Sequence, residues 1–220
     1  MKDPRSLCLS ATSLNIFTKC PRLFCYRYLD EEKLYLPLRD NGRLGSQFHT
    51  LVQLLTPLAE AQRQLWLDRV DPKVKQWWQD FCRSGLDQVH YPFYSEFPLL
   101  VEYQGWQLQA RYDRLVVKPD QYQIWDWKTG KQQETWQTVL YPLLLHWGLK
   151  IAPQMISVHF WYVSQGETSF TYSREQQQND REQLDQALEQ IDRLDFPQTT
   201  NTKTCQDCFF RYHCWGESLP

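Results

Sequence analysis

Four cysteines near opposite ends of the chain constrain its fold more than any other feature. Cys20 stands alone near the amino end, whereas Cys205, Cys208 and Cys214 form a Cys-x2-Cys-x5-Cys run in the tail. Two cysteines separated by two residues can bring two thiolates onto one metal centre through a tight turn, and Cys214 follows after a short aromatic link. Three ligands from one segment need a fourth, so the pattern suggests a cluster that ties the two ends of the chain together.

The amino-terminal residues and the cysteine content both favour a reducing compartment. Residues 1–10 contain Lys2 and Arg5 but no apolar stretch behind them, and no uninterrupted apolar segment approaches bilayer length. Without an export signal, the seven cysteines indicate metal ligands and buried thiols rather than disulfides. We therefore predict a cytoplasmic protein with no membrane association.

Size and charge limit the domain count and the kind of partner. The 220 residues, of which 42% are hydrophobic and 15% aromatic, fit one domain over 1–220 with one packed core. The formal net charge of −2 provides no whole-chain attraction to polyanions, which counts mildly against nucleic acid as a partner. Nucleic-acid binding would therefore depend on local cationic patches.

Hydrophobic periodicity predicts an α/β chain in the order helices, strands, helix, strand, helix and tail. Gln104-Gly105 and Pro119-Asp120 are turn sequences, so the strands that they join form an antiparallel meander. Pro142 predicts a kink or a shorter helix where it occurs. The predicted helices cover residues 10–29 with a break near Pro21, 43–55, 59–82 with an interruption at Pro72, 134–147 and 174–194, and the strands cover 94–103, 106–117, 122–127 and 155–163.

Two acidic residues and a lysine on adjacent predicted strands form a candidate catalytic site. Asp113 lies in one strand, and Asp126 and Lys128 form an Asp-x-Lys motif at the end of the next. Side chains alternate along a strand, so Asp126 and Lys128 emerge on the same side. Two carboxylates with a neighbouring histidine suit Mg²⁺ or Mn²⁺, which prefer oxygen ligands. Lys128 could orient or help deprotonate an attacking water and offset charge on a phosphodiester oxygen.

Helical spacing groups further polar side chains. Gly45 and His49 are four residues apart and share one face of a predicted helix, and Gln137 and Tyr141 have the same spacing on another. His49 is the histidine that the two carboxylates would need. We therefore include these positions in the candidate site.

Structural alternatives remain open for the same residues. His49 could be a hydrogen-bonded core histidine, and Tyr141 could fill the core with its hydroxyl satisfied. Asp113 could form a surface ion pair with Arg111 or Arg114. An Asp-x-Lys motif alone is most often a solvated strand edge, so the hypothesis depends on the combination of motifs.

Together these residues resemble the PD-(D/E)XK nuclease superfamily and, within it, the RecB-like or AddB-like branch. The motifs of that branch occur here in order as Gly45-x3-His49, Asp113, Asp126-x-Lys128 and Gln137-x3-Tyr141. The resemblance implies a restriction-endonuclease-like mixed β-sheet flanked by helices, with a core over about residues 40–172. It also implies that Lys128, Asp113 and Asp126 are catalytic, that His49, Asp113, Asp126 and the backbone carbonyl of Trp127 bind the metal ion, and that Gln137 and Tyr141 contact or align the nucleic acid.

The same resemblance extends to the cysteines. Iron–sulfur members of this branch, including AddB-type recombination nucleases and a CRISPR spacer-acquisition exonuclease family, have a cysteine at the place of Cys20. This implies a [4Fe–4S] cluster that joins residues 10–29 to residues 197–216. Because four thiolates also suit tetrahedral Zn²⁺, the residues alone do not choose the metal. The implied ligands are Cys20, Cys205, Cys208 and Cys214, and the alternatives are Cys25 or Cys8 in place of Cys20, or a zinc site completed by His213.

The combined pattern predicts a DNA nuclease dependent on Mg²⁺ or Mn²⁺, acting as an exonuclease or on single strands, in DNA repair, recombination or CRISPR-type DNA processing. Its predicted partners are single-stranded DNA or duplex ends. The chain has no Gly-x4-Gly-Lys-Ser/Thr phosphate loop, so any helicase or recombination partner is a separate protein. The alternative is a catalytically silent nucleic-acid-binding or assembly module with the same fold and a structural metal cluster.

Overall fold

A mixed β-sheet with helices on both faces organises the chain. The computed structural model describes residues 1–30, 40–130, 135–163, 165–199, 201–206 and 208–216. Within these residues the sheet has six strands. They are β1 (Cys8–Ser10), β2 (Phe93–Tyr103), β3 (Trp106–Val117), β4 (Tyr122–Lys128), β5 (Ile156–Tyr162) and β6 (Gly166–Thr171).

Nine helices accompany these strands in the part of the chain that the structure describes. None of them combines the length and the apolar character that crossing a lipid bilayer requires. They are α1 (Ala11–Lys19), α2 (Pro21–Phe24), α3 (Asp40–Leu55), α4 (Glu60–Leu67), α5 (Pro72–Arg83), α6 (Trp136–Leu149), α7 (Arg174–Asp192), α8 (Thr202–Gln206) and α9 (Arg211–Trp215), with a π-helical turn at Cys25–Leu29.

Strand β3 is the centre of the sheet and creates the opening in which the candidate site forms. Antiparallel β2 pairs with one edge of β3. The opposite edge is shared, because β1 pairs with it in parallel as far as Gln109 and β4 pairs with it antiparallel from Arg114 onward. Neither β1 nor β4 pairs with residues 110–113 on that edge. The gap lies beside the beginnings of α1 and α6.

Two apolar clusters fix the helices on opposite faces of the sheet. Helices α1, α6 and α7 pack over the face that carries Val158 and Phe160. Helices α3 and α5 pack over the other face, where Phe48 stacks on Trp161 with ring centroids 5.9 Å apart. Because side chains alternate along β5, one strand supplies both cores. The sheet thus holds α3 and α6 on opposite sides of the same gap.

The predicted meander and its first turn are confirmed. Gln104 and Gly105 have φ angles of 50° and 78°, as a two-residue type I′ hairpin requires. The helix start at Ser10 is also confirmed, because the Ser10 hydroxyl accepts from the backbone N–H of Ser13. The predicted breaks occur before Pro21 and before Pro72, where α2 and α5 begin.

Some elements differ from the sequence predictions. Strand β1 has three residues and β6 is almost wholly exposed, so neither carries the alternation that identifies a strand. Helix α6 continues through Pro142 to Leu149, so Pro142 does not shorten it, and the kink, the other outcome expected there, stays a prediction. Burial of seven other α6 side chains compensates for the hydrogen bond that Pro142 cannot donate. The predicted start of this helix, residue 134, lies outside the described residues.

A buried arginine holds the α3–α5 side against the sheet. The Arg114 guanidinium donates to the Leu86 carbonyl at 2.7 Å and to Thr56 Oγ1 at 3.0 Å. It also lies over the ring of Trp127, 5.1 Å from the centroid. Burial lowers the pKa of Arg114 to about 10, which leaves the group charged at neutral pH.

We expect Arg114→Ala to lower the free energy of unfolding by about 2–4 kcal/mol, because it leaves the Leu86 carbonyl without its donor and opens a cavity. Chemical denaturation measures this change. Arg193→Ala is the matched control, since Arg193 is exposed and its loss should change stability by less than about 0.5 kcal/mol. Equal stability of the two variants would contradict this role for Arg114.

Candidate active site

A cleft of about 1150 Å³ opens at the gap beside β3. Its walls are the amino-terminal end of α1, one face of α3, the facing parts of β3 and β4, and the first turns of α6. All the side chains predicted for the catalytic site line it, namely His49, Asp113, Asp126, Lys128, Gln137 and Tyr141, together with Trp127.

Helix α3 brings His49 against Asp113. The His49 Nδ1 atom lies 3.0 Å from Asp113 Oδ1. Gly45, one turn earlier, lies against the loop after β4, since a Cβ atom there would be 3.1 Å from Thr129 Oγ1. The glycine therefore allows the close approach of α3 that carries His49 to the carboxylate.

The surroundings of His49 favour its charged form. Burial acts to lower the pKa of His49, but the hydrogen bond and charge of Asp113, with the charges of Asp126 and Glu96, raise it overall. The histidine therefore partly neutralises acidic groups when no cation is bound. The His49 side chain is hydrogen-bonded, as the core-histidine alternative also requires, and it is 30% exposed at the cleft.

Strand β4 places Asp126 and Lys128 on one side, as the alternation predicts. The Lys128 ammonium contacts Asp126 and also donates to Gln137 Oε1. Asp126 is 2% exposed, and burial, with a further contribution from the Asp113 charge, raises its pKa to about 6 even though Lys128 opposes the shift. The oxygen that the Lys128 ammonium contacts is Asp126 Oδ1.

Helix α6 supplies hydrogen bonds to the same carboxylate. The Gln137 amide donates from Nε2 to Asp126 Oδ2 at 2.8 Å and to the Tyr141 hydroxyl at 2.7 Å. The Tyr141 hydroxyl lies 3.1 Å from Asp126 Oδ2 and 3.2 Å from the Arg111 carbonyl. Both side chains therefore line the cleft and contact Asp126, while the Tyr141 ring is also buried with its hydroxyl satisfied, as a core tyrosine would be.

Asp113 forms neither of the surface ion pairs that the sequence left open. Its Oδ2 atom accepts from the backbone N–H of Trp127 at 2.6 Å. Arg111 is paired with Glu96 and Arg114 is buried in the α3–α5 core. The bond to Trp127 ties β3 to β4 at the point where their ladder ends.

The sequence analysis missed Glu96. Ligand atoms of His49, Glu96 and Asp113 all lie within 4.8 Å of one another. Among the described residues, these three side chains form the group that could hold a metal ion. Asp126 is outside that group. Burial and the Asp113 charge raise the pKa of Glu96, whereas Arg111 and His49 oppose the shift. Glu96 has a φ of 51° and is not itself paired, but the neighbouring pairs Ser95 with Arg114 and Phe97 with Tyr112 place it opposite Asp113. The hairpin register could therefore have pointed to it.

The four predicted cluster cysteines, Cys20, Cys205, Cys208 and Cys214, line one small cavity between the first helices and the tail. Burial raises the pKa of Cys208, the Phe210 N–H hydrogen bond opposes this, and the other three thiols add to it. Cys25 instead lies 3.6 Å from the Met1 sulfur. Cys20 is therefore the amino-terminal cysteine that faces the tail.

The burial of Asp126 predicts a pH-dependent stability in metal-free protein. A carboxyl whose pKa is raised to about 6 on folding binds its proton more tightly in the folded state, so stability rises as pH falls through that value. We expect Asp126→Asn to raise the Tm of EDTA-treated protein by several degrees near pH 7.5, and by little near pH 5. Circular-dichroism melting curves at the two pH values measure this. The exposed Asp120→Asn is the control, and a Tm gain independent of pH would refute the burial argument.

Comparisons with known proteins were consistent with this geometry. A family model of the PD-(D/E)XK nuclease superfamily matches residues 8–215. The fold is similar to the crystal structure of a candidate exonuclease from Eubacterium rectale, with a TM-score of 0.58 and 9% identity over 94% of this chain and 87% of that chain. SSO0001 aligns with a TM-score of 0.44 and 13% identity over 100% of this chain and 90% of that chain.

One curated relative matches only locally. Augurin of Rattus norvegicus is 44% identical over 55 residues, which are 25% of this chain and 36% of augurin. The chain thus spans about a third of the length of that relative. The family model, in contrast, covers almost every element from β1 to α9. This chain belongs to the PD-(D/E)XK nuclease superfamily.

Proposed function

We propose that the protein is a metal-dependent DNA nuclease of the RecB-like or AddB-like branch, acting as an exonuclease or on single strands. The observation that carries the proposal is the convergence of His49, Asp113, Asp126 and Lys128 in one open cleft. Family membership makes phosphodiester hydrolysis the expected chemistry. A catalytically silent module would have no need for a buried acidic centre with a lysine in contact.

The donor set fits a hard divalent cation such as Mg²⁺ or Mn²⁺. His49, Asp113 and Asp126 would hold it together with the Trp127 carbonyl, since carboxylate and carbonyl oxygens with a neighbouring imidazole line the cleft there. When bound, such an ion supplies a Lewis acid and a water of lowered pKa. Its charge would also oppose the burial and the Asp113 charge that together raise the pKa of Asp126.

Lys128 is positioned for the proton and charge chemistry of the reaction. Its ammonium lies between Asp126 and Gln137, so it can orient an attacking water and stabilise a phosphodiester oxygen as it becomes more negative. Gln137 and Tyr141 hold the Asp126 carboxylate in place from α6. We assign them this positioning role in addition to contact with the nucleic acid.

The cleft also suits a polyanionic strand despite the net charge of the chain. Ser10 and Thr12 at the beginning of α1 line the cleft, where free N–H groups and the helix dipole favour a phosphate. Arg111, whose side chain is 73% exposed, adds a cation at the rim. We infer that the backbone of a DNA strand lies across this edge.

For the cysteine centre we propose a [4Fe–4S] cluster with a structural role. Hydrogen-bond donors already face the sulfurs: Leu23 N–H lies 3.4 Å from Cys20 Sγ and Gln198 Nε2 lies 3.4 Å from Cys214 Sγ, as is common at metal thiolates. Four thiolates suit a [4Fe–4S] cluster and tetrahedral Zn²⁺ alike, and the resemblance to iron–sulfur members of the branch is what favours iron.

We further propose that residues 1–220 act as one nuclease domain, with a core over about 40–172 and the cysteine centre joining 10–29 to 197–216. The backbone N–H of Arg22 donates to the Pro197 carbonyl at 3.2 Å, which supports that junction. We assign the protein to the cytoplasm, with DNA as its substrate and any helicase or recombination motor as a separate partner.

A cleavage assay tests the catalytic proposal. We expect purified protein to degrade end-labelled single-stranded or duplex DNA with Mg²⁺ or Mn²⁺, and Lys128→Ala to be slower by about 10²–10³-fold, because a transition-state contact is lost. Labels at either end reveal polarity. Lys73→Ala, which changes an exposed lysine on α5, is the matched control and should cleave like wild type.

Two results of that assay would reject the catalytic role. In the first, the wild-type protein cleaves no DNA with either metal. In the second, Lys128→Ala cleaves DNA as fast as the wild-type protein. DNA binding without cleavage would instead support the silent binding module.

Metal analysis tests the cysteine centre. We expect anaerobically purified protein to be brown, with about four irons per chain, and Cys208→Ser to lose the iron and melt at a lower temperature. Cys82→Ser is the control, because the Cys82 thiol lies apart from this cavity and burial raises its pKa to about 12. Colourless protein with stoichiometric zinc would overturn the iron assignment.

A further inference from the structure

The cysteine cavity contains a cation that the packing of the chain does not explain. Arg22 lines this cavity together with Cys20, Cys205, Cys208 and Cys214. The Arg22 Nε atom is buried and has no hydrogen-bond partner among the described residues. A buried N–H group without an acceptor lowers the stability of the folded state, and most such groups in proteins are paired. The Arg22 side chain therefore suits an acceptor that binds in the cavity.

The main chain holds Arg22 between the first helices and the tail. The Arg22 backbone N–H donates to the Pro197 carbonyl at 3.2 Å. Cys20 lies two residues earlier, and its sulfur lies 3.4 Å from the Leu23 N–H. The backbone is thus tied both to the tail and to the first cysteine, so the Arg22 side chain enters the cavity from a fixed position.

Tyr26 lies between the guanidinium and one of the thiols. Its ring stacks on Phe210 with centroids 5.3 Å apart and lies edge-on to His213 at 5.0 Å, which holds it against the tail. Burial raises the pKa of the Tyr26 hydroxyl, Cys214 raises it further, and Arg22 opposes the shift. The hydroxyl is therefore within reach of both the Arg22 guanidinium and the Cys214 sulfur.

The charge of a thiolate centre explains why a cation is placed here. Four thiolates that hold a [4Fe–4S] cluster or Zn²⁺ leave a net charge of about −2. Cations and hydrogen-bond donors beside the thiolates stabilise such a charge. An arginine supplies both at once, because its guanidinium keeps its charge and presents N–H donors in a planar fork.

We propose that Arg22 is the counter-charge of the cysteine centre and that Tyr26 links it to the Cys214 ligand. This inference rests on the proposed function, since it requires the metal centre assigned to the four cysteines. It gives Arg22 and Tyr26 a positioning role that none of the sequence motifs includes. A neighbouring cation favours the more negative state of the centre, so Arg22 retains the bound metal and raises the reduction potential of an iron–sulfur cluster.

Metal loss and redox titration of anaerobically purified protein test the proposal. We expect Arg22→Gln to lose its metal to a chelator about 10–100-fold faster than wild type. Its midpoint potential, followed by visible absorption and electron paramagnetic resonance, should be lower. Arg22→Lys keeps the charge and should recover most of both properties, and Tyr26→Phe should lower the potential by less. Circular dichroism verifies that each variant is folded.

Arg27→Gln is the matched control, because Arg27 is exposed one turn later and lies outside the lining of the cavity. It should lose metal at the wild-type rate and keep the wild-type potential. If Arg22→Lys were as impaired as Arg22→Gln, the shape of the arginine rather than its charge would matter, and the counter-charge role would be overturned.

The outcomes separate this inference from the proposed function. Iron-containing Arg22→Gln with the potential and the metal-loss rate of wild type would overturn the inference, even if the protein cleaves DNA. Zinc in place of iron would reject the cluster, yet faster zinc loss from Arg22→Gln than from Arg27→Gln would still support Arg22 as the counter-charge. Wild-type protein that holds neither metal would overturn both.

Discussion

Buried negative charge at the gap between β1 and β4 is the constraint on which the site depends. Burial raises the pKa of Asp126, and Asp113 is held close enough that its charge raises that pKa further. The donors that orient Asp113 come from α3 and β4, and those that orient Asp126 come from β4 and α6. Asp113 is bound by His49 and the Trp127 N–H, and Asp126 by Lys128, Gln137 and Tyr141. Burying two carboxylates lowers the stability of the folded state. Such buried charge is typical of functional sites.

The fold supplies rigid supports for these donors. His49 comes from α3, which Phe48 anchors through its stack on Trp161, and Gln137 comes from α6, which is buried along most of its length. The two helices lie on opposite faces of one sheet. Although the sheet separates them, side chains from both helices reach the same group of carboxylates at the edge of β3, where the cleft opens.

Helix α1 connects the two centres. Ser10 caps its beginning and lines the cleft, and Cys20 follows its end and lines the cysteine cavity. Its nine residues span roughly 14 Å at 1.5 Å per residue. A cluster that fixes Cys20 to the tail would therefore also fix the helix end at which a phosphate is expected to bind. The cysteine centre can support hydrolysis through position alone, without electron transfer.

The sequence by itself determined the local geometry: Gly45 and His49 on one helix face, Asp126 and Lys128 on one side of a strand, and the hairpin turn at Gln104-Gly105. These follow from periods of 3.6 and 2 residues and from turn stereochemistry. Only the tertiary structure decided which helix meets which carboxylate, that Cys20 rather than Cys25 faces the tail, and that β1 and β6 join the sheet. Those contacts join residues far apart in the chain, and burial and pairing between elements determine them, which no local pattern encodes.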